Sequence, residues 1–134
     1  MIWLLDVNAL IAALVSGHEA NHRVSAWLAG LDRGDGLATC SITELGFVRI
    51  LNQAPQYRVP VKESIKTLER FRSNTVLPVC RLEDSRGASD LPRWVKGARQ
   101  VTDGHLLGVA DSFGAKLATL DEGIAGAFLI PAAS

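Results

Sequence analysis

Apolar residues along the chain follow two patterns, short continuous runs and longer stripes with helical spacing. The runs predict strands at residues 2–5, 37–40, 76–82, 116–120 and 128–130. The stripes predict helices ending near residue 15 and covering residues 20–31, 42–53, 61–72 and 102–113. Because strands alternate with helices, the pattern predicts an α/β fold, with a central, mostly parallel sheet of four to five strands and helices on both faces.

The first strand ends at a carboxylate. Four consecutive apolar residues, 2–5, suit a strand in the middle of a parallel sheet, and the run stops at Asp6. Ligands of open α/β sheets bind beyond the carboxyl ends of the strands. We therefore expect Asp6 to lie at the centre of the functional edge.

Three further acids belong to the same edge. Asp121 ends the strand at 116–120, and Glu44 begins the helix that follows the second strand. Asp103 follows Thr102, which we expect to cap the last helix. Each acid alone has a simple structural explanation, as a cap, a turn or a residue that favours a helix dipole. Together they would repel one another, and hard divalent cations with oxygen ligands are the usual compensation.

Composition narrows the class of protein. The 134 residues suit one domain with a sizeable core, and 48% hydrophobic residues argue against disorder. The net charge is zero, but residues 58–99 hold ten basic and five acidic side chains, an excess that suits a polyanionic partner. No apolar run approaches the roughly 18 residues of a membrane span, and the first residues do not resemble a signal peptide. We expect a cytoplasmic protein.

Two cysteines stand near the ends of apparent strands. Cys40 and Cys80 are expected to be buried, reduced thiols. A disulfide is the less favoured alternative, and a metal site built on two isolated cysteines is less favoured still.

The histidines add little to the acidic site. His18 and His22 are four residues apart, which allows a zinc hypothesis, but no third ligand is near them in the sequence. His105 follows Asp103 closely enough to approach a substrate, but a solvated helix residue is the favoured interpretation. Asp111 points about 80° away from Asp103 around an ideal helix, so we leave it outside the site.

Four short motifs carry a family resemblance. They are Asp6-Val-Asn8, Ile42-Thr-Glu44-Leu-Gly-Phe, Val101-Thr-Asp103 and Leu117-Ala-Thr119-Leu-Asp121. In order and spacing they resemble the acidic motifs of PIN-domain ribonucleases, and most of all the VapC toxins of bacterial VapBC toxin–antitoxin systems. The resemblance covers nearly the whole chain, with the poorest fit at residues 83–100.

The resemblance implies a function and a set of partners. Residues 1–134 would form a single PIN domain with a Rossmann-like three-layer sandwich. It would be a toxin and a hydrolase that cuts transfer or ribosomal RNA. One or two Mg²⁺ or Mn²⁺ ions would be held by Asp6, Glu44, Asp103 and Asp121, with Asn8 and Thr119 orienting ligands or water. The resemblance further implies a homodimer, a VapB-type antitoxin and contact with DNA only through that antitoxin.

Other classes of protein also place acids at strand ends. A phosphatase of the haloacid dehalogenase type needs a second aspartate where Asn8 stands. A response-regulator receiver needs a phospho-acceptor aspartate after the third strand, where we place Cys80 and Arg81. A catalytically silent PIN-like module that binds RNA or protein is a further alternative, although all four acids are present.

Overall fold

The computed structural model of the protein describes residues 1–73 and 76–133. Within these residues there are five strands, β1 (Ile2–Leu5), β2 (Gly36–Cys40), β3 (Val79–Leu82), β4 (Lys116–Thr119) and β5 (Phe128–Leu129). They form one parallel sheet in the order β3-β2-β1-β4-β5. The central position of β1 confirms the prediction made from its apolar run.

Helices cover both faces of this sheet. They are α1 (Val7–Leu14), α2 (Asn21–Ala29), α3 (Ser41–Gln53), α4 (Val61–Ser73) and α5 (Ala98–Ser112), with a 3₁₀ turn at Ala88–Asp90. Leu5 packs in one buried cluster with residues of α1 to α4, whereas its neighbour Leu4 packs on the opposite face with residues of α5. Consecutive side chains of a strand point to opposite faces, so the domain has three layers, as predicted.

The last helix begins earlier than predicted. α5 starts at Ala98 with Gly97 as its N-cap, so Thr102 is not the cap and Asp103 lies in the second turn. Residues 98–101 contain no glycine or proline that would stop the helix from extending towards its N-terminus. Just before this helix, residues 92–95 form a turn, in which the Val95 amide donates to the Pro92 carbonyl at 3.1 Å.

The third strand is shorter than predicted. It begins at Val79, directly after Pro78, and forms one edge of the sheet. A proline has no amide hydrogen to donate to a strand ladder, which explains the late start. Because β3 is an edge strand, Cys80 is exposed, and the prediction that it is buried was wrong. Cys40 is buried as predicted, and both thiols are free.

Helix length and composition decide whether a helix could span a membrane. Among the residues that the structure describes, no helix is long and apolar enough to span a bilayer.

Candidate active site

Asp6 occupies the point where the central strand meets the first helix. It is only 6% exposed and is the N-cap of α1, its Oδ1 accepting the Ala9 amide at 2.7 Å. Its Oδ2 accepts a hydrogen bond from the Thr119 hydroxyl. Burial raises the pKa of Asp6, and these two hydrogen bonds only partly oppose that effect.

Asp103 and Asp121 lie close enough to Asp6 to act on it electrostatically. Their charges raise the pKa of Asp6 further, and the pKa of Asp103 is itself raised by burial and then by the charge of Asp121. Asp121 is exposed, two residues beyond β4, and its Oδ1 accepts the Gly123 amide at 2.7 Å. The structure thus brings three of the four predicted acids together at the carboxyl edge of β1 and β4.

Glu44 is held differently from the other three acids. Its Oε2 accepts the Thr39 hydroxyl at 2.6 Å and lies 2.5 Å from the Arg72 Nη2. The Glu44 side chain is 14% exposed, so a cation and a hydroxyl compensate a largely buried carboxylate. Neither Thr39 nor Arg72 was predicted. A polar residue inside the apolar strand β2 is the signal that could have identified Thr39, because a buried hydroxyl needs a partner.

The two residues predicted to orient ligands differ in their surroundings. Thr119 is buried, donates to Asp6 and accepts the Asp121 amide at 3.0 Å, so it links two of the acids. Asn8 is exposed in the first turn of α1. Thr119 is therefore built into the acidic site, and the role of Asn8 stays a prediction.

A fifth acid that the sequence analysis missed lies beyond β3. Asp84 pairs with His105, its Oδ2 lying 2.7 Å from the ring Nε2, and the two side chains are 8% and 15% exposed. The other oxygen, Oδ1, is buried and has no hydrogen-bond partner among the described residues. The prediction that His105 is solvated was wrong. The signal for Asp84 was its position just after a strand, at the same edge as Asp6.

The paired histidines show no sign of a metal site. His18 precedes α2, and its Nδ1 accepts the Ala20 amide at 3.0 Å, while His22 is exposed.

Across residues 1–73 and 76–133, no three histidine, cysteine, aspartate or glutamate side chains are grouped tightly enough to hold one ion together.

The chemistry of the acidic site still fits a hard divalent cation. Asp6, Asp103 and Asp121 offer oxygen atoms only, and their mutual repulsion is the kind that a cation relieves. Mg²⁺ keeps several waters and is usually bound by one or two carboxylates, so a complete cage of protein ligands is not required.

Comparisons with known proteins first define the class. A model of the PIN domain matches residues 3–127 of the chain. The chain therefore belongs to the PIN-domain family, as its motifs predict.

Curated relatives define the branch of that family. Ribonuclease VapC44 of Mycobacterium tuberculosis H37Rv is 37% identical over 133 residues, covering 91% of this chain and 87% of the relative. Ribonuclease VapC38 of the same strain is 34% identical over 123 residues, covering 90% and 86%. The predicted resemblance to VapC ribonucleases is confirmed.

Solved structures show the same fold. Mycobacterium tuberculosis VapC20, described as a sarcin-ricin loop cleaving toxin, superposes with a TM-score of 0.65 at 13% identity, covering 98% of this chain and 99% of that one. VapBC2 from Rickettsia felis, bound to a DNA fragment from its promoter, gives a TM-score of 0.58 at 16% identity, covering 96% and 97%. At these identities the likeness concerns the fold alone.

Proposed function

We propose that this chain is the toxin of a toxin–antitoxin pair and an endoribonuclease that depends on Mg²⁺ or Mn²⁺. The observation that carries the proposal is the group formed by Asp6, Asp103 and Asp121, whose charges oppose one another at the functional edge of the sheet. The ribonuclease names of relatives at 32–37% identity support it. Residues 1–134 act as one domain, and the site of action is the cytoplasm.

The proposed roles follow from the contacts of each acid. Asp6, Asp103 and Asp121 would hold one or two ions, and Glu44 would be a further ligand if Arg72 released it. Thr119 fixes Asp6 through its hydroxyl, and Asn8 orients water at the exposed rim. When bound, the divalent ion supplies a more acidic water as nucleophile and stabilises negative charge on the phosphate.

The proposed substrate is transfer or ribosomal RNA. A structural relative is described as cleaving the sarcin-ricin loop, which supports an RNA substrate for this chain. One depression is lined by three arginines and two glutamates, a small excess of positive charge next to Glu44: Arg49, Arg72, Arg81, Glu44 and Glu69. Positive side chains next to a phosphodiester site favour binding of a polyanion.

An antitoxin is the proposed protein partner. The depression beside Glu44, about 410 Å³, lies between α3 and α4. Leu45, Val61 and Ile65 at this surface are 68%, 47% and 45% exposed. An apolar surface rimmed by arginines suits an apolar segment that carries acidic residues. DNA contact through this antitoxin and a homodimeric state are further proposals, the former supported by the promoter-bound VapBC2 relative.

The structure offers a second apolar depression for comparison. α2 and α4, with the segments next to them, line a cavity of about 350 Å³ that includes Leu28, Leu37 and Phe71. Leu37 is near the amino end of β2, so this cavity lies at the sheet edge opposite the acids. For a partner that also covers the active site, the α3–α4 depression is the better candidate.

The decisive experiment combines metal removal with end-group analysis. Purified protein should cut RNA with Mg²⁺ or Mn²⁺, lose activity in EDTA, and lose at least about 100-fold as Asp6→Asn or Asp103→Asn. Attack by water leaves a 5′-phosphate and a 3′-hydroxyl, so a single 2′-deoxy nucleotide at the cut should still be cleaved. A 2′,3′-cyclic phosphate on the cleaved RNA, or full activity in EDTA, would contradict the proposed mechanism.

Expression in cells separates the toxin proposal from the nuclease proposal. Growth arrest should follow expression of the chain alone and be relieved by co-expression of the neighbouring small reading frame. Harmless expression of a protein that cuts RNA when purified would refute only the toxin role. Absence of cleavage with intact RNA binding would instead favour the silent binding module.

A further inference from the structure

A cavity of about 250 Å³ lies beside the acidic site, on the side of β2 and β3. Its walls come from the beginning of α3, the first turns of α5 and the segment at residues 86–91. Thr102 lines the cavity and directly precedes Asp103 in the chain. Ile42 lines the opposite wall, two residues before Glu44. Asp103 is two residues from His105, so it points about 160° away from it around α5, and Glu44 stands in the same relation to Ile42 on α3. The cavity and the acids therefore lie on different sides of these two helices, close together in the chain.

Two planar side chains in the cavity wall are held in fixed positions. The His105 ring is bound by Asp84 at 2.7 Å, and Asp84 is itself nearly buried. The Arg86 guanidinium donates to the Asp90 carbonyl at 3.0 Å. It packs so closely on α5 that a Cβ at Gly108 would lie 2.5 Å from the Arg86 Nε. Both planes are thus oriented by contacts made outside the cavity.

The remaining walls are apolar. Ile42, Leu91 and Val101 contribute aliphatic surface, and Thr102 adds a hydroxyl. A site with flat, partly charged planes, aliphatic walls and one hydroxyl suits a planar aromatic ring that carries hydrogen-bonding groups. RNA-binding proteins recognise unstacked bases in this way, by stacking on histidine rings or arginine planes and by hydrogen bonds to base edges.

We propose that this cavity binds one unstacked nucleobase of the RNA, next to the phosphodiester bond that is cut. This inference rests on the proposed nuclease function and adds the position at which the enzyme reads sequence. The order of strands gives the direction in which the RNA would run. Three acids follow successive strands along one edge of the sheet, Asp121 after β4, Asp6 after β1 and Asp84 after β3. An RNA strand whose phosphate lies over Asp6 and Asp121 continues across β2 towards the cavity.

RNA is favoured over a protein side chain as occupant for two reasons. Thr102 lines the cavity and directly precedes Asp103, so a nucleotide held there is joined to the reacting phosphate by a short stretch of RNA that passes around α5. Arginine and histidine planes are also the groups that stack on bases, whereas exposed apolar surface is concentrated at the α3–α4 depression.

The test fills the cavity without removing the contact between Asp84 and His105. Ile42→Trp places a large ring in the cavity from a residue that is 39% exposed. Ile2→Trp, at the amino end of β1, is the matched control, because Ile2 is 36% exposed and lines neither this cavity nor the α3–α4 depression. Affinity for short single-stranded RNA is measured in EDTA, with one abasic nucleotide moved through each position in turn. Cleavage of a randomised RNA pool is then sequenced for base preference.

The expected result is position-specific. For wild type and Ile2→Trp, one abasic position should weaken binding by about tenfold or more, the size of one lost base-stacking contact. Ile42→Trp should bind all abasic RNAs equally and lose base preference at the same position next to the cut. Thr102→Val, which keeps the shape of the side chain, should shift that preference.

Two results would overturn the inference. One is an unchanged abasic profile and an unchanged base preference in Ile42→Trp. The other is a changed oligomeric state of Ile42→Trp with normal RNA binding, which would assign the cavity to a protein contact. If wild-type protein binds RNA in EDTA but does not cut it when Mg²⁺ or Mn²⁺ is added, only the nuclease proposal fails. The abasic profile measured in EDTA still tests the base site.

Discussion

Arg72 and Glu44 form an ion pair between α4 and α3, with Nη2 and Oε2 2.5 Å apart. The Arg72 side chain is 38% exposed and the Glu44 side chain 14%, so the carboxylate is the more buried partner. Asp6, Asp103 and Asp121 repel one another, whereas Glu44 is compensated by the arginine. A divalent ion that uses Glu44 as a ligand therefore has to compete with Arg72.

The first prediction tests this competition. Arg72→Gln should tighten Mn²⁺ binding by about two- to fivefold, the range expected for losing a partly exposed competing ion pair. Isothermal titration calorimetry without RNA gives the affinity directly. Arg70→Gln, on the same helix and hydrogen-bonded to Thr67, should bind Mn²⁺ as wild type does. Weaker binding in Arg72→Gln would mean that the arginine positions Glu44 for the ion.

The second prediction concerns pH and the metal-free protein. The folded-state pKa of Asp6 is raised above its unfolded value, so the folded protein binds the extra proton more tightly. The resulting stability is fully present below the unfolded pKa, about 4, and is lost as pH rises through the raised pKa. Metal-free protein should therefore lose stability as the pH rises from about 4 through the raised pKa of Asp6.

Urea unfolding in EDTA across this pH range measures the effect. Asp6→Asn should flatten the dependence of the free energy of unfolding on pH and raise that free energy at pH 7, because asparagine still caps α1 and carries no charge. Asp111→Asn, an exposed acid on α5, should leave the profile as in wild type. If the free energy of unfolding changed equally with pH in wild type and Asp6→Asn, burial of the Asp6 charge would not destabilise the metal-free protein, contrary to this prediction.

The third prediction concerns Thr119. Thr119→Val removes the hydroxyl that donates to Asp6 and accepts the Asp121 amide. Residues that orient metal ligands typically contribute about 10- to 100-fold to affinity or activity, and we expect a loss of Mn²⁺ affinity in that range. Thr119→Ser keeps the hydroxyl and should restore most of it. If valine and serine are equivalent in Mn²⁺ titrations, Thr119 fills space only.

Much of the fold could be predicted because its signals are local. An unbroken apolar run at residues 2–5 followed by Asp6 indicates a central strand with its functional end. Glu44 and Asp121 were assigned to the same edge by their positions after strands, and Asp103 by its place at the predicted start of the last helix. Such arguments need only the chain order, since the carboxyl ends of parallel strands share one edge.

The contacts that could not be predicted join segments far apart in the sequence. Arg72 reaches Glu44 across 28 positions, and Asp84 reaches His105 across 21. Nothing local in a helix marks which of several arginines will face a neighbouring helix. Residues 83–97 show no clear helical or strand spacing of apolar residues, because their conformation depends on packing against α5 more than on regular secondary structure of their own.

The last prediction tests how that segment is fixed. Gly104 faces it, and a Cβ there would lie 2.5 Å from Val95 Cγ2 and 3.2 Å from Pro92 Cδ. An alanine in the middle of a helix is normally favoured over glycine by about 0.5–1 kcal/mol. Here we expect Gly104→Ala to destabilise the protein by about 1–3 kcal/mol, because an overpacked contact must displace either the helix or the segment.

A double-mutant cycle identifies the contact. Val95→Ala removes the methyl groups nearest to Gly104, so Gly104→Ala should cost much less in that background. Gly87→Ala is the control, because no atom lies within 4 Å of a Cβ at that position. Urea unfolding of the four proteins gives the coupling free energy. Additive effects of the two substitutions would show that residues 83–97 are not held against α5 by the contact at Gly104. The part of this segment that lines the proposed nucleobase cavity would then have to be held by other contacts.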